Sequence, residues 1–197
     1  MKYSIIGSQR SPFVRACRML MIQNSLDCEF RVLNFVDNKD DAMALSKETP
    51  INKVPILIDG DQKIFDSRVI LNYLTQKHDF KRFTLDEENL LTAIYSCLDS
   101  GVILFLLKND GVDINGPGFF LARQRARIPD NLNYVMSWAK NLDPANPEDW
   151  NYISMSLYSF LYWGERRTGL FKVTDYPDLA KFMDRFKNAP GVSETGF

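Results

Sequence analysis

The chain has 197 residues, 24 Lys plus Arg against 25 Asp plus Glu, a formal charge of −1 and a single histidine. A chain of this length buries roughly 70% of its unfolded surface, enough for one or two domains. The balanced charge lacks the basic excess that a nucleic-acid partner requires, and His78 alone excludes a histidine-rich metal site and leaves a Ser-His-Asp triad one possible base.

Cys17, Cys28 and Cys97 are widely spaced and odd in number, so neither a disulfide framework nor a zinc ribbon is readable. The start MKYSIIGSQR lacks the apolar stretch of a secretory signal, and no continuous apolar run approaches the roughly 18 residues of a membrane span. The expectation is a cytoplasmic protein with no membrane, nucleic-acid or metal partner.

The first 80 residues alternate between two periods. KYSII (2–6) predicts a strand, 7–10 a turn, and Ser11-Pro12 the opening of a helix whose Phe13, Ala16, Cys17, Leu20 and Met21 recur at helical spacing. EFRVLNF (29–35) predicts a second strand, parallel to the first through a right-handed crossover. A polar helix over 38–47 follows. Two short apolar runs, 54–58 and 63–65, flank Asp59-Gly60-Asp61 and predict a hairpin. Asp66-Ser67 then caps a helix expected to turn Val69, Ile70, Tyr73 and Leu74 inward.

After Phe80 only helical periods remain, over 90–107, 119–142, 152–166 and 177–187, joined by Gly- and Pro-containing connections. The predicted architecture is an α/β domain over 1–78, a linker at about 79–84, and an all-helical domain over 85–197. Arg123, Arg125 and Arg127 read as a solvated helix face. Tyr95, Leu98, Phe105, Phe119 and Phe120 read either as core or as lining for an apolar ligand.

Four stretches carry a resemblance that spans nearly the whole chain: GSQRSPFVRACRML (7–20), KVPILIDGDQKIFDSRVILNYL (53–74), DWNYISMSLYSFLYWGER (149–166), and YPDL (176–179) with Pro190. Together they resemble the glutathione S-transferase superfamily, with a thioredoxin-like N-terminal domain and an all-α C-terminal domain. The resemblance implies a protein that binds reduced glutathione, with no metal, and conjugates its thiolate to a small electrophile.

It assigns Ser11 to the thiolate as catalytic residue, with Ser8 as the competing hydroxyl. It assigns glutathione binding to Phe13, Lys53, Val54, Pro55, Asp66, Ser67 and Asp99. It further implies a cis Val54-Pro55 bond, which is inexpensive only before proline, and a homodimer in which Asp99 reaches the partner's γ-glutamyl amine. On residues alone Ser11-Pro12, Val54-Pro55 and Asp66-Ser67 read equally as an N-cap, a strand start and a second cap. Two other functions stay open on this scaffold: a glutathione-dependent disulfide reductase or peroxidase, and a binding or regulatory protein without turnover. At 151 and 154 the superfamily's Ser/Thr and Asp are replaced by Asn151 and Ser154, which predicts a weaker capping box.

Overall fold

The computed structural model describes residues 2–197. The chain divides into two compact units, one running through Arg82 and completed by Asn188–Phe197, the other Phe83–Lys187.

The first unit runs β1 (Tyr3–Gly7), α1 (Pro12–Gln23), β2 (Cys28–Val32), α2 (Lys39–Glu48), β3 (Ile56–Asp59), β4 (Gln62–Phe65) and α3 (Ser67–His78). Its sheet has the order β2-β1-β3-β4, with β1 and β2 parallel and β3 antiparallel to both neighbours. This is the thioredoxin-like arrangement. β2 stops at Val32, earlier than the alternation to Phe35 predicts, because its only partner β1 ends opposite it in the register Gly7↔Val32. β3 begins at Ile56 and not at Val54, because Pro55 has no N–H to give the ladder.

Gly7 ends β1 where α1 returns over the sheet, and a Cβ there would collide with Val14 Cγ2. In α3, Ile70, Leu71 and Leu74 are buried while Val69 is half exposed to solvent, contrary to expectation. The three buried residues already form one stripe, and Val69 lies outside it. Ile6, Leu45 and Ile56 form a core cluster against which Val54, Ile58 and Phe65 pack.

The second unit contains α4 (Leu85–Asn109), α5 (Phe119–Ala139), α6 (Tyr152–Trp163) and α7 (Pro177–Arg185). Thr84 opens α4 with a complete capping box to Glu87. By length and composition α4 is apolar enough to cross a membrane, although charged residues such as Asp99 break its sequence into shorter apolar runs. Its Leu91, Ile94, Cys97, Leu98 and Leu104 are buried, so it serves as a core helix of this unit. α6 buries every residue except Tyr162, and its capping box is complete. Asn151 Oδ1 accepts from the N–H groups of Ile153 (2.9 Å) and Ser154 (3.4 Å), while Asn151 N–H donates to Ser154 Oγ at 2.9 Å. The helix ends in a single wide π turn, Gly164–Thr168, short of the regular helix expected to Arg166.

Leu98 is core, whereas Phe119 and Phe120 stand exposed. The reading of 123–127 as a solvated face fails at two positions. Arg125 donates to the carbonyl of Ile114 and so ties down the preceding loop, and Arg127 donates to the buried Gln124 at 3.2 Å.

Candidate active site

Two registers decide where the sequence motifs meet. Ile6 pairs with Ile56 and Ile56 pairs with Phe65, so the end of β1, the start of β3 and the end of β4 lie along one edge of the sheet. The segments leaving that edge are 8–11, 54–55 and 66–67. α1 and α3 both begin there, so the positive end of each helix dipole lies at that edge.

Ser11 is the N-cap of α1, with extended backbone (φ −82°, ψ 123°) and Pro12 as first helical residue. Its Oγ accepts the Val14 N–H at 3.4 Å. Ser8 is buried, its Oγ accepts the Arg10 N–H at 3.3 Å, and its carbonyl accepts the Ser11 N–H at 3.0 Å. Both serine oxygens therefore receive a backbone N–H here, a role that leaves a hydroxyl proton to donate. Beside them Arg10 forms an ion pair with Asp37.

The Val54–Pro55 peptide bond is cis. Pro55 is buried and Val54 half-buried, and the ladder registers begin only at Ile56, so the Val54 backbone stands outside the sheet. Lys53 is exposed.

Asp66 caps α3 at φ 71° and ψ 135°, a conformation that costs a non-glycine residue about 1–3 kcal/mol. Its Oδ1 accepts the Arg68 N–H at 2.8 Å, and Ser67 beside it is buried. Phe13 is half-buried on the first turn of α1, and Asp99 is exposed on α4 of the second unit. The fold thus brings Ser8, Ser11, Val54, Pro55, Asp66 and Ser67 to one edge of one sheet.

Protein thiols are a poor source of nucleophile. Burial pushes the Cys28 thiol up to about 11 and the Cys97 thiol up to about 12, so both are protonated near neutral pH. Cys17 is fully buried on the inner face of α1. Among the described residues no group of three or more His, Cys, Asp or Glu side chains could hold a metal ion.

In the sequence, Arg15 enters only as part of the stretch 7–20 that carries the resemblance, with no role of its own. It lies within the apolar face of α1 and is 1% exposed. Its signal was a lone cation between Val14 and Ala16, at a spacing that points inward.

A four-stranded thioredoxin-like sheet, with a cap serine, a cis-proline and an acidic-Ser turn on one edge and a helical unit after it, defines the architecture of glutathione transferases. Residues 5–83 match the family described as glutathione S-transferase, N-terminal domain. A solved glutathione S-transferase from Methylobacterium radiotolerans, in complex with glutathione sulfonate, aligns over 99% of this chain and 94% of its own, with a TM-score of 0.84 at 20% identity. Glutathione S-transferase F10 of Arabidopsis thaliana is 52% identical over 29 residues, 15% of this chain and 14% of that protein. Dichloromethane dehalogenase of Methylophilus leisingeri is 30% identical over 66 residues, 33% of this chain and 25% of that protein. The matches thus span a quarter or less of these two curated relatives. The first unit matches the N-terminal-domain family of glutathione S-transferases, and the chain as a whole has the fold of the solved glutathione S-transferase.

Proposed function

We propose that the first unit binds reduced glutathione along the sheet edge and that the protein joins the glutathione sulfur to a small electrophile. The observation that carries this reading is the convergence of Ser11, the Val54 backbone and Asp66-Ser67 on one edge, set by the registers Ile6↔Ile56 and Ile56↔Phe65. In this assignment the Val54 N–H and C=O pair with the cysteinyl backbone of glutathione. Asp66 and Ser67, at the positive end of α3, hold its γ-glutamyl end. Phe13, Lys53 and Pro55 flank the bound tripeptide, and Asp99 keeps the role that the resemblance implies, toward glutathione held by a partner subunit of a homodimer.

Catalysis then reduces to making and placing a thiolate. The glutathione thiol, with an ordinary pKa of about 8.5, releases its proton to solvent. The Ser11 hydroxyl donates to the resulting sulfur anion at the positive end of α1, which favours the charged form. The sulfur then bonds to the electrophilic atom, whose leaving group departs with the displaced electron pair. Preorganised donation and proximity supply the rate. The relatives that were solved or named as glutathione S-transferases support this reading, and the high thiol pKa values of Cys28 and Cys97 weigh against a reductase working through a protein thiolate.

Calorimetric titration with reduced glutathione and with an S-alkyl glutathione tests it. Saturable binding of both, tighter for the alkyl form, is expected. Folded protein that binds neither would overturn the reading in favour of a scaffold or regulatory protein.

A further inference from the structure

The segment 188–197, which the sequence placed in the helical domain, belongs to the first unit. The physical reason is a set of contacts with α1. Arg15 Nε donates to Thr195 Oγ1 at 3.1 Å and an Nη donates to the Val192 carbonyl at 3.0 Å. Thr195, itself fully buried, donates its hydroxyl to the Gly191 carbonyl at 2.5 Å. At the rim, Arg18 Nη2 donates to the Glu194 carbonyl at 3.2 Å, and Gln9 Nε2 to the Gly196 carbonyl at 3.2 Å. Gly191 has φ +85°, and a Cβ there would lie 2.9 Å from Met19 Cα, so the segment rests directly on the helix backbone.

These contacts grip α1 from the residue two before Ser11 to the middle of the helix. Arg15 also lies one turn beyond Ser11, and its N–H donates to the Ser11 carbonyl at 3.0 Å. For stability alone a buried guanidinium is a poor choice, since an apolar side chain of similar volume avoids the desolvation cost. A planar fork held by two separate acceptors does what an apolar side chain cannot, which is to fix the rotation and axial position of the helix that carries it.

We propose that residues 188–197 are a strap that sets the first turn of α1, with Arg15 as the positioning residue for the Ser11 hydroxyl. This inference rests on the role given to Ser11 above. Arg15 touches neither glutathione nor electrophile in this account. It acts by holding Ser11 where donation to the sulfur is shortest.

The test is the ultraviolet absorbance of enzyme-bound glutathione thiolate against pH, with thermal melting in parallel, for wild type, Arg15→Lys and Thr195→Val. Lysine keeps the charge but loses the fork, and valine replaces only the hydroxyl by a methyl. Both variants are expected to move the thiolate midpoint up by about half to one pH unit, part of one hydrogen bond to a charged group. Thr195→Ser is expected to restore it. Should Arg15→Lys fail to fold, the Thr195 pair carries the test. Lower melting temperatures with an unchanged midpoint would overturn the proposal and leave the strap a purely structural clamp. Wild type showing no bound thiolate would overturn the glutathione reading and the positioning role with it, an outcome read from the wild-type sample alone.

Discussion

Replacing Ser11 by alanine removes two interactions of different kinds, and the geometry lets them be weighed separately. The cap bond to the Val14 N–H is long, at 3.4 Å, so its loss is set at the low end of cap values, about 0.5–1 kcal/mol. For a chain of this size that lowers the melting temperature by about 1–4 °C. The hydroxyl donated to a sulfur anion is worth about 1.5–3 kcal/mol, as bonds to charged groups are. That corresponds to about one to two units of thiolate pKa. Donation stabilises the anion, so its removal raises the pKa, and below both midpoints the thiolate population falls about 10- to 100-fold. Turnover with a chromogenic aryl halide at fixed glutathione is therefore expected to drop by that factor near pH 6.5, with the deficit closing as pH rises above about 9. Binding of glutathione itself is expected to change little, because the peptide contacts lie elsewhere. Ser11→Gly, which costs a cap only a few tenths of a kcal/mol, separates rate from stability. A Ser11→Ala enzyme with wild-type rate at pH 6.5 would refute the reasoning and direct the thiolate role to Ser8.

The remaining expectations concern the same unit. Asp66→Gly relieves a backbone conformation costing about 1–3 kcal/mol, offset by about 0.5–1 kcal/mol of glycine entropy. The variant should thus be more stable by up to about 2 kcal/mol in chemical denaturation yet bind glutathione at least about tenfold more weakly, and a destabilised variant would contradict this account of Asp66. Cys28→Ser should leave conjugation unchanged, because burial keeps that thiol protonated, and loss of activity in this variant would favour the reductase reading. On the opposite sheet edge Asp59 accepts from Tyr73 Oη at 2.5 Å and is ion-paired to Lys77, and these bonds outweigh burial and hold its pKa below the ordinary carboxylate value. A depressed folded-state pKa gives stability that is present above about pH 4 and lost as pH falls through the folded value. Denaturation midpoints should therefore decline on acidification below pH 4 more steeply for wild type than for Asp59→Asn.

Much of the fold was legible because local physics writes it. The Asp59-Gly60-Asp61 hairpin and the caps at Ser11 and Asp66 each depend on residues within a few positions of one another, so spacing and side-chain chemistry suffice. By contrast, α4 opens at its Thr84 cap, ahead of the periodicity from Leu90, and the Asn151 box is complete where a weaker one is expected. The candidate site was half legible. Ser11-Pro12, Val54-Pro55 and Asp66-Ser67 were recognisable as caps and strand starts, but each pattern is common and none names its neighbours.

Those neighbours were decided by long-range pairing. The local hairpin sets the end of β4 beside the start of β3, but nothing between residues 6 and 56 dictates that both join the end of β1; the long-range register does. Val69 was misjudged because α3 had more apolar residues than its buried stripe could take, and only the packed sheet selects which are covered. Arg15 has no legible role in its motif because a cation on an apolar face makes sense only once residues 192 and 195, some 180 positions away, supply its acceptors. By itself the sequence determined the periods, caps and turns that choose each element, together with a superfamily resemblance. Only the tertiary structure decided which ends converge and which charge could be buried, because burial and hydrogen-bond satisfaction belong to the assembled chain and not to any segment of it.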